Sequence, residues 1–346
     1  MKRVGVGIIG NGMATRVFHV PYIRACEHLD LKAIVSRRPH AEPPCEGIAI
    51  VPDVDTLLDD PAIALVVIAT PSETHADIAR KVIKAGRHIV VEKPFTLQLT
   101  QALALVELAR EKGVVLSVFH NRRWDTDFMA VRAAIGEGLI GRVVHFESHF
   151  DRFRPNVRDR WREDGSPGSG VWFDLGPHLV DQVIQIFGPP SAVTADIDML
   201  RDGSAAADWA HLVLQYPGMR AVLHAGMCVA GGEPRFRVHG TGGTLLKQKL
   251  DPQEGQSIAG LSPAHESWGL DTDPLLVIDV EGQSRSLPAP RGSQHRFYTM
   301  MAEACLGVGP PPATPEEILA VQQVIEAALV SNAERRTVDL PLQISR

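Results

Sequence analysis

The stretch GIIGNGMAT at residues 7–15 decides the fold. An apolar run over residues 4–9 leads into it and predicts a buried strand. After it, Val17, Val20 and Ile23 recur at helical spacing. A strand, a Gly-x-Gly turn and a helix in this order are typical of the first unit of a dinucleotide-binding βαβ fold.

The two glycines of this turn predict a pyrophosphate site. They let the backbone turn tightly and approach the phosphates, which then lie at the positive end of the following helix. The third glycine of the usual motif is replaced by Thr15, so we expect looser packing of helix against strand there. The cofactor contacts predicted in the turn are Gly10, Asn11, Gly12, Met13 and Ala14.

Composition and charge narrow the function class. The 346 residues are enough for two domains, and 45% hydrophobic with 22% charged residues is ordinary for a globular protein. A net charge of −6 argues against nucleic acid as a partner. The basic cluster at 152–162 does not change this conclusion, because acidic residues are interleaved with it. Four scattered cysteines support neither a disulfide framework nor a cysteine zinc site. No run approaches the ~20 apolar residues of a membrane helix, and we expect a cytoplasmic protein without membrane partners.

The first part of the chain alternates strand and helix, which predicts an α/β Rossmann domain over residues 1–121. Its strands are nearly continuous apolar runs, as in a parallel sheet covered on both faces. The predicted strands are 3–9, 31–36, 47–51, 64–69, 88–91 and 114–119, and the clearest helices are 13–26, 73–85 and 98–112.

Residues 122–346 have longer, partly alternating strands separated by glycine-rich turns, which predicts an α+β domain with a large, mostly antiparallel sheet. We expect it to bind substrate and to mediate oligomerisation. The stretch 251–292 predicts loops and one short strand. The remaining predicted strands are 142–150, 191–199, 208–216, 220–227, 234–239 and 243–248, and the predicted helices are 124–137, 293–306 and 315–330.

A second motif lies at residues 64–94, ALVVIATPSETHADIARKVIKAGRHIVVEKP. Two predicted strands end there, one at Thr70-Pro71 and the next at Glu92-Lys93-Pro94. Both ends lie at the carboxyl edge of the sheet, where open α/β folds bind ligands. A lysine at this edge directs a cation toward the cofactor crevice, and a cis X-Pro bond beside it would fix the turn.

At these residues the chain resembles the Gfo/Idh/MocA oxidoreductases, the family of glucose–fructose oxidoreductase and inositol dehydrogenase. The resemblance covers essentially the whole chain. It rests on the glycine turn, Thr70-Pro71 with His75, Glu92-Lys93-Pro94, and Gly168-Ser169-Gly170 leading to Asp174-Leu175-Gly176-Pro177-His178. VFHNRRWD (118–125) and ESHFDRFRP (147–155) resemble the subgroup that contains NADP-dependent scyllo-inositol dehydrogenase.

The resemblance implies an NAD(P)-dependent oxidoreductase that acts on a polyol or sugar and assembles as a homodimer or homotetramer through the sheet of its second domain. An apolar sheet face left open would also favour association. The cofactor contacts predicted outside the glycine turn are Ser36, Arg37, Arg38, Thr70, Pro71, His75, Glu92, Lys93, Asn121, Trp161 and Arg162.

The end of the second strand favours NADP over NAD. Asp30 has the usual offset for an NAD-selecting acid but precedes the strand. Ser36, Arg37 and Arg38 follow the strand and would donate to a 2′-phosphate. The alternative is that Arg37 and Arg38 are ordinary solvated loop charges, which leaves the missing acid unexplained.

Asp174 and His178 are four residues apart on an amphipathic run and share one helix face. With Lys93 they form the predicted catalytic set. Histidine is the natural base for alcohol oxidation, Asp174 would orient it or bind a hydroxyl, and Lys93 would stabilise the alkoxide. Alternatively, Asp174 is a helix cap, with Pro177 in the first turn, and His178 is a core residue.

Other residues are assigned with an alternative beside them. Asn121 and Arg123 join Lys93, Asp174 and His178 as predicted substrate contacts, although Arg123 and Trp124 fit helix capping and core packing equally well. His75 would contact cofactor or only support its loop.

A metal site is not predicted. His145 and His149 would form a zinc pair on a helix, but the alternating apolar residues around them favour a strand.

The leading functional hypothesis is an NADP(H)-dependent dehydrogenase or reductase that interconverts a ring hydroxyl and a ketone. A second hypothesis is a glycoside hydrolase that uses transient oxidation by a bound nicotinamide cofactor. A third is a non-catalytic NADP-binding regulator, which would not need to keep Lys93, Asp174 and His178.

Overall fold

The computed structural model describes residues 3–38 and 42–341. The chain divides into two compact units. One consists of Met1–Asn121, Gln253–Trp268 and Ser293–Leu319, and the other of Arg122–Pro252, Gly269–Gly292 and Ala320–Arg346. The division at 121/122 coincides with the predicted boundary, but two later segments that the prediction gave to the second domain belong to the first unit.

The strands, in chain order, are β1 (Val4–Ile9), β2 (Leu29–Val35), β3 (Ala49–Val51), β4 (Leu65–Ile68), β5 (His88–Val91), β6 (Leu116–Val118), β7 (Val143–Asp151), β8 (Ala192–Asp198), β9 (Trp209–Tyr216), β10 (Met219–Gly226), β11 (Phe236–Gly240), β12 (Gly243–Lys247), β13 (Leu275–Ile278), β14 (Ser284–Leu287) and β15 (Val338–Asp339). The α-helices are α1 (Val20–Arg24), α2 (Val54–Leu58), α3 (His75–Lys84), α4 (Leu99–Lys112), α5 (Thr126–Gly136), α6 (Val171–Phe187), α7 (Gln253–Ile258), α8 (Arg296–Cys305) and α9 (Pro315–Glu334).

The first unit contains a six-stranded parallel sheet in the order β3-β2-β1-β4-β5-β6. Its central strands are buried along their whole length, which explains their continuous apolar sequence. The strand order changes direction between β1 and β4. Ligands of doubly wound sheets bind at this switch point, beyond the carboxyl ends of the strands. The sheet is the Rossmann-type domain that the sequence predicts.

The helix predicted over 13–26 is interrupted by a π-helical turn, Thr15–His19, that precedes α1. The buried Thr15 hydroxyl donates a hydrogen bond of 2.8 Å to the carbonyl of Gly10. The side chain at the third glycine position thus ties the helix back to the turn before it. π-Turns inside helices are rare and are found frequently at functional sites.

The second unit contains a nine-stranded sheet in the order β14-β13-β12-β11-β7-β10-β9-β8-β15. It is antiparallel except for the parallel pair of β7 and β10. One face carries core residues such as Phe146 and Leu212, which pack with side chains of α5, α6 and α9. The other face carries the alternate side chains of the same strands, which include histidines, arginines and acids together with apolar residues such as Val213, Val222 and Leu246. This arrangement confirms the predicted mostly antiparallel sheet.

Three details after residue 121 correct the sequence analysis. The stretch 251–292 holds a short helix and two paired strands, β13 and β14, instead of one strand. Helix α6 begins at Val171, so Pro177 is inside the helix and not in its first turn. Gly170 is the N-cap, and Asp174 is not. Among the described residues, no helix is long and apolar enough to cross a membrane.

Candidate active site

The glycine turn after β1 has the geometry that the sequence predicts. Gly10 has a φ of 112°, and a Cβ there would lie 2.9 Å from the carbonyl carbon of Ala69, just after β4. Glycine is required at this position for both reasons. A Cβ on Gly12 would meet nothing within 4 Å, so the exposed backbone there is open to a ligand. The residues of this turn therefore fit a dinucleotide pyrophosphate.

The residues proposed to bind the 2′-phosphate of the cofactor ribose lie at the end of β2. The side chains of Arg37 and Arg38 are exposed. Within residues 3–38 and 42–341, neither guanidinium makes a salt bridge or a side-chain hydrogen bond. Asp30 lies at the opposite end of β2, where its carboxylate is 2.6 Å from the Lys32 ammonium. The carboxyl end of the strand therefore presents cations and no acid.

A buried chain of side chains holds Glu92, the residue before Lys93. The Tyr298 hydroxyl is 2.7 Å from His19 Nδ1, and His19 Nε2 is 3.1 Å from Glu92 Oε1. Glu92 Oε2 accepts a hydrogen bond of 3.0 Å from the Lys93 backbone N–H. Burial raises the pKa of Tyr298 well above its ordinary value, and the Glu92 charge adds to this shift. With Tyr298 as the donor, His19 carries its proton on Nε2, facing the carboxylate.

The peptide bond between Lys93 and Pro94 is cis, as the sequence suggests. Sequence reasoning missed His19 and Tyr298, because 279 residues separate them and neither belongs to a local motif. Their effect is to fix the backbone from which the Lys93 side chain extends.

His75 joins the loops that follow β4 and β5. Its Nδ1 lies 2.8 Å from the Pro94 carbonyl and its Nε2 lies 3.0 Å from the Thr70 carbonyl. Burial lowers the pKa of His75, although both carbonyls act in the opposite direction. A neutral imidazole donates only one hydrogen bond at a time. These contacts favour the loop-supporting alternative over direct contact with the cofactor.

Asn121, which follows β6, is also held by a side chain of its own unit. Its amide donates a hydrogen bond of 2.9 Å to Gln294 Oε1, and the same oxygen accepts one of 2.8 Å from the Tyr22 hydroxyl. Asn121 is only 5% exposed. Gln294 was missed because it lies in a segment far along the chain.

In the second unit, Asp174 lies in the first turn of α6 and His178 lies one turn further along. Arg162 Nε is 3.2 Å from Asp174 Oδ1. The Arg162 guanidinium also stacks 4.6 Å from the Trp161 ring. The structure therefore brings Trp161, Arg162 and Asp174 together. His178 is buried, with 5% of its surface exposed.

The same helix carries a polar cluster that is structural. Arg123 Nη2 lies 2.6 Å from Asp181 Oδ1, and both side chains are buried. Gln182 donates a hydrogen bond of 3.0 Å to the carbonyl of Arg122. This ion pair favours the core-packing alternative for Arg123 over the predicted substrate contact. Trp124, the next residue in the chain, is half-buried.

The second unit holds another group of histidines, on the sheet face opposite the helices. The segment with His145 and His149 is a strand, β7, as predicted, and His145 Nε2 pairs with Glu147 at 2.8 Å. His149 of β7 pairs with His224 of β10, and His224 in turn pairs with His211 of β9. Burial lowers the pKa of His224 to about 4, with Asp151 opposing the shift. The sequence gave no local signal that these three strands would align their histidines.

Comparisons with known proteins agree with both units. Residues 4–120 match the model of the oxidoreductase family with an NAD-binding Rossmann fold, and residues 128–246 match the Gfo/Idh/MocA C-terminal domain. The uncharacterized oxidoreductase YdgJ of Escherichia coli is 42% identical over 97% of this chain and 99% of its own length. The scyllo-inositol 2-dehydrogenase (NADP(+)) IolW of Bacillus subtilis is 35% identical over 97% of this chain and 96% of its own length.

A solved Yersinia pestis structure, assigned as an oxidoreductase, superimposes with a TM-score of 0.93 at 40% identity and covers 99% of both chains. The two domain models together match most of the chain, and both relatives cover nearly all of it. The chain therefore belongs to the Gfo/Idh/MocA family of oxidoreductases.

Proposed function

We propose that this oxidoreductase is an NADP(H)-dependent enzyme that interconverts a ring hydroxyl and a ketone of a cyclitol or sugar. The observation that carries the proposal is the position of Lys93 at the carboxyl edge of the Rossmann sheet, where Glu92 holds its backbone. The relative IolW, named as a scyllo-inositol dehydrogenase that uses NADP⁺, supports the substrate class and the cofactor. An inositol 2-dehydrogenase of Rhizobium meliloti, 31% identical over 72% of this chain, supports the substrate class further.

The proposed chemistry divides alcohol oxidation among three side chains. The nicotinamide ring supplies the hydride acceptor when the cofactor is bound. The Lys93 ammonium would stabilise negative charge as it develops on the substrate oxygen. His178 would take the hydroxyl proton, because an imidazole titrates near neutral pH.

Asp174 would bind a neighbouring hydroxyl or support the imidazolium. Arg162, which contacts Asp174 at 3.2 Å, would keep that carboxylate oriented. Whichever of Lys93 and His178 carries the proton, loss of either should affect the chemical step more than cofactor binding.

The cofactor preference follows from charge at the end of β2. Two exposed guanidinium groups and the Ser36 hydroxyl would donate to a 2′-phosphate. The carboxylate that selects NAD by accepting from the ribose hydroxyls is absent from the described part of this strand end, residues 35–38. NADP⁺ should therefore bind more tightly than NAD⁺.

The proposal is tested by the absorbance of NADPH formed from NADP⁺ in the presence of inositols, aldoses and sugar lactones. With a substrate identified, Lys93→Met and His178→Ala should each lower kcat by about 10² or more. Asp174→Asn should act mainly on kcat/KM. NADP⁺ affinity should change by no more than a few-fold in all three variants. Lys84→Met, which removes an exposed lysine of α3, serves as the matched control and should leave turnover unchanged.

Two outcomes would overturn the proposal. Cleavage of aryl glycosides without net NADPH formation would assign the hydrolase function instead. Tight NADP⁺ binding without turnover of any substrate in the panel would favour the regulator. If His178→Ala is fully active and the pH profile is unchanged, the histidine is a core residue.

A further inference from the structure

Three potential metal ligands meet on the sheet face of the second unit that lies opposite α6. His149 and Asp151 alternate along β7, and His224 and Gly226 lie beside them on the parallel strand β10. His224 Nε2 is 3.5 Å from Asp151 Oδ1, and His149 Nδ1 is 3.5 Å from Asp151 Oδ2. One ligand atom from each residue lies within 4.8 Å of the others. Small side-chain rotations would therefore bring all three to the ~2.0–2.2 Å bond lengths of a zinc ion.

Three polar atoms of this cluster are buried without hydrogen bonds. Both ring nitrogens of His149 and Oδ1 of Asp151 have no hydrogen-bond partner within residues 3–38 and 42–341. The Asp151 side chain is 3% exposed. A buried polar atom without a partner is costly and rare in folded proteins, and a bound ion is one of its recognised explanations.

Each histidine has a second polar contact on the nitrogen that faces away from Asp151. His224 Nδ1 lies 3.4 Å from His211 Nδ1, and His149 Nε2 lies 3.6 Å from Glu147 Oε2. Histidines that bind metals typically donate their other ring N–H to such a group. The His224–His211 contact is within hydrogen-bond distance, whereas the His149–Glu147 contact is an ion-pair distance longer than a hydrogen bond. The arrangement leaves Nε2 of His224 and Nδ1 of His149 directed at the shared carboxylate.

Gly226 keeps the space beside these ligand atoms open. A Cβ there would lie 3.0 Å from His224 Nε2 and 3.7 Å from Asp151 Oδ1. The φ of Gly226 is not in the positive range that requires glycine, so its backbone conformation does not explain the residue. The missing side chain leaves room next to the two atoms that would share an ion.

We propose that His149, Asp151 and His224 bind a divalent transition-metal ion of the zinc class. Two imidazoles and one carboxylate form a donor set that suits Zn²⁺, and hard cations such as Mg²⁺ prefer oxygen ligands alone. The neighbouring His145 and His239 do not belong to the site, because His145 pairs with Glu147 and His239 Nδ1 is 2.9 Å from the Thr244 hydroxyl. The site lies on the sheet face opposite α6 and does not depend on the proposed dehydrogenase activity.

The test uses the full-length protein after EDTA treatment and dialysis. Titration with ZnCl₂ by calorimetry should show one saturable site per chain, and CoCl₂ should give the visible d–d absorption of a bound ion. His224→Gln and Asp151→Asn should each weaken Zn²⁺ binding at least 10-fold and remove the cobalt spectrum. His239→Gln, on the same sheet face, is the matched control and should bind like the wild type.

Gly226→Ala keeps all three metal ligands. It therefore tests whether weaker Zn²⁺ binding can occur without a loss of folding. Its added methyl should weaken Zn²⁺ binding while the circular dichroism of the metal-free protein stays that of the wild type. The inference is overturned if micromolar Zn²⁺ shows no saturable binding. It is equally overturned if the His224 and Asp151 variants, folded by the same criterion, bind Zn²⁺ like the control.

Discussion

Replacing Arg201 with methionine should destabilise the second unit strongly, because Arg201 neutralises two buried carboxylates. Its Nε lies 3.0 Å from Asp208 Oδ2, and its Nη2 lies 3.0 Å from Glu163 Oε2. The Arg201 side chain is 3% exposed. Removing one partner of a buried ion pair typically costs ~3–5 kcal/mol, since the other charge stays buried without compensation.

The structure places the expected loss near the lower end of that range. Glu163 keeps a second cation, Arg160, at 2.6 Å, and Asp208 keeps a hydrogen bond of 2.8 Å from the Leu200 N–H. We therefore expect Arg201→Met to cost ~3 kcal/mol. For a unit of this size that corresponds to a fall in Tm of roughly 6–12 °C. Arg201→Lys keeps the charge but not both contacts, so its stability should lie between those of the wild type and Arg201→Met.

Guanidinium unfolding followed by tryptophan fluorescence measures this loss, because four of the five tryptophans lie in the second unit. The matched control is Arg335→Met. Arg335 Nη1 is 3.1 Å from Asp196 Oδ1, but both side chains are more than half exposed, so its loss should cost ~1 kcal/mol or less. If Arg201→Met costs no more than this control, the assignment of stability to the buried pairs is wrong.

The pH dependence of stability follows from the same carboxylates. Burial raises the pKa of Glu163 and of Asp208, but hydrogen bonds and the arginine charges outweigh it, so the pKa of each is below its ordinary value. Such groups stabilise the folded state above their ordinary pKa, and the contribution is lost as the pH falls through the lower, folded value. Wild-type stability should therefore decline below about pH 4.5, and Arg201→Met should show a weaker decline there.

Three further predictions concern the cofactor, the buried chain at Glu92 and assembly. Arg37→Ala should weaken NADP⁺ binding about 10-fold, the loss of one charge-assisted hydrogen bond, and leave NAD⁺ binding within twofold; equal losses in a calorimetric titration would contradict this. Tyr298→Phe should cost ~1 kcal/mol of stability and reduce kcat more than NADP⁺ affinity, because His19 loses its partner. Sedimentation should show a dimer or tetramer at micromolar concentration, and a clean monomer would refute an oligomeric enzyme.

The sequence predicted the parallel sheet of the first unit well because its signals are local. Six short apolar runs bounded by turn residues gave every strand of the parallel sheet, and the carboxyl edge followed from where those strands end. β14 was missed because Ser284–Leu287 is mostly exposed and has only one apolar residue. The start of α6 was missed because Gly170, its N-cap, offers no side-chain oxygen to mark it.

Only those residues of the candidate site that belong to a local sequence motif could be predicted. Lys93, Asp174 and His178 were found from motifs, and their catalytic roles remain predictions. The side chains that hold Glu92 beside Lys93 were not found, because Tyr298 reaches His19 across 279 residues. The separate histidine cluster was not found either, because His224 reaches His149 through strand pairing. Contacts of this kind depend on the packing of distant segments and leave no periodic pattern in the sequence.

Residues 253–268 and 293–319 belong to the first unit, and this has a consequence for synthesis on the ribosome. Tyr22 and His19 are fully buried, and their hydrogen-bond partners Gln294 and Tyr298 emerge more than 170 residues after the last Rossmann strand. At ~5–20 residues per second, that delay lasts roughly 10–35 seconds. During this time the side chains of Tyr22 and His19 lack these two hydrogen-bond partners. A fragment ending at residue 121 should therefore fold poorly compared with the complete first unit and should bind chaperones.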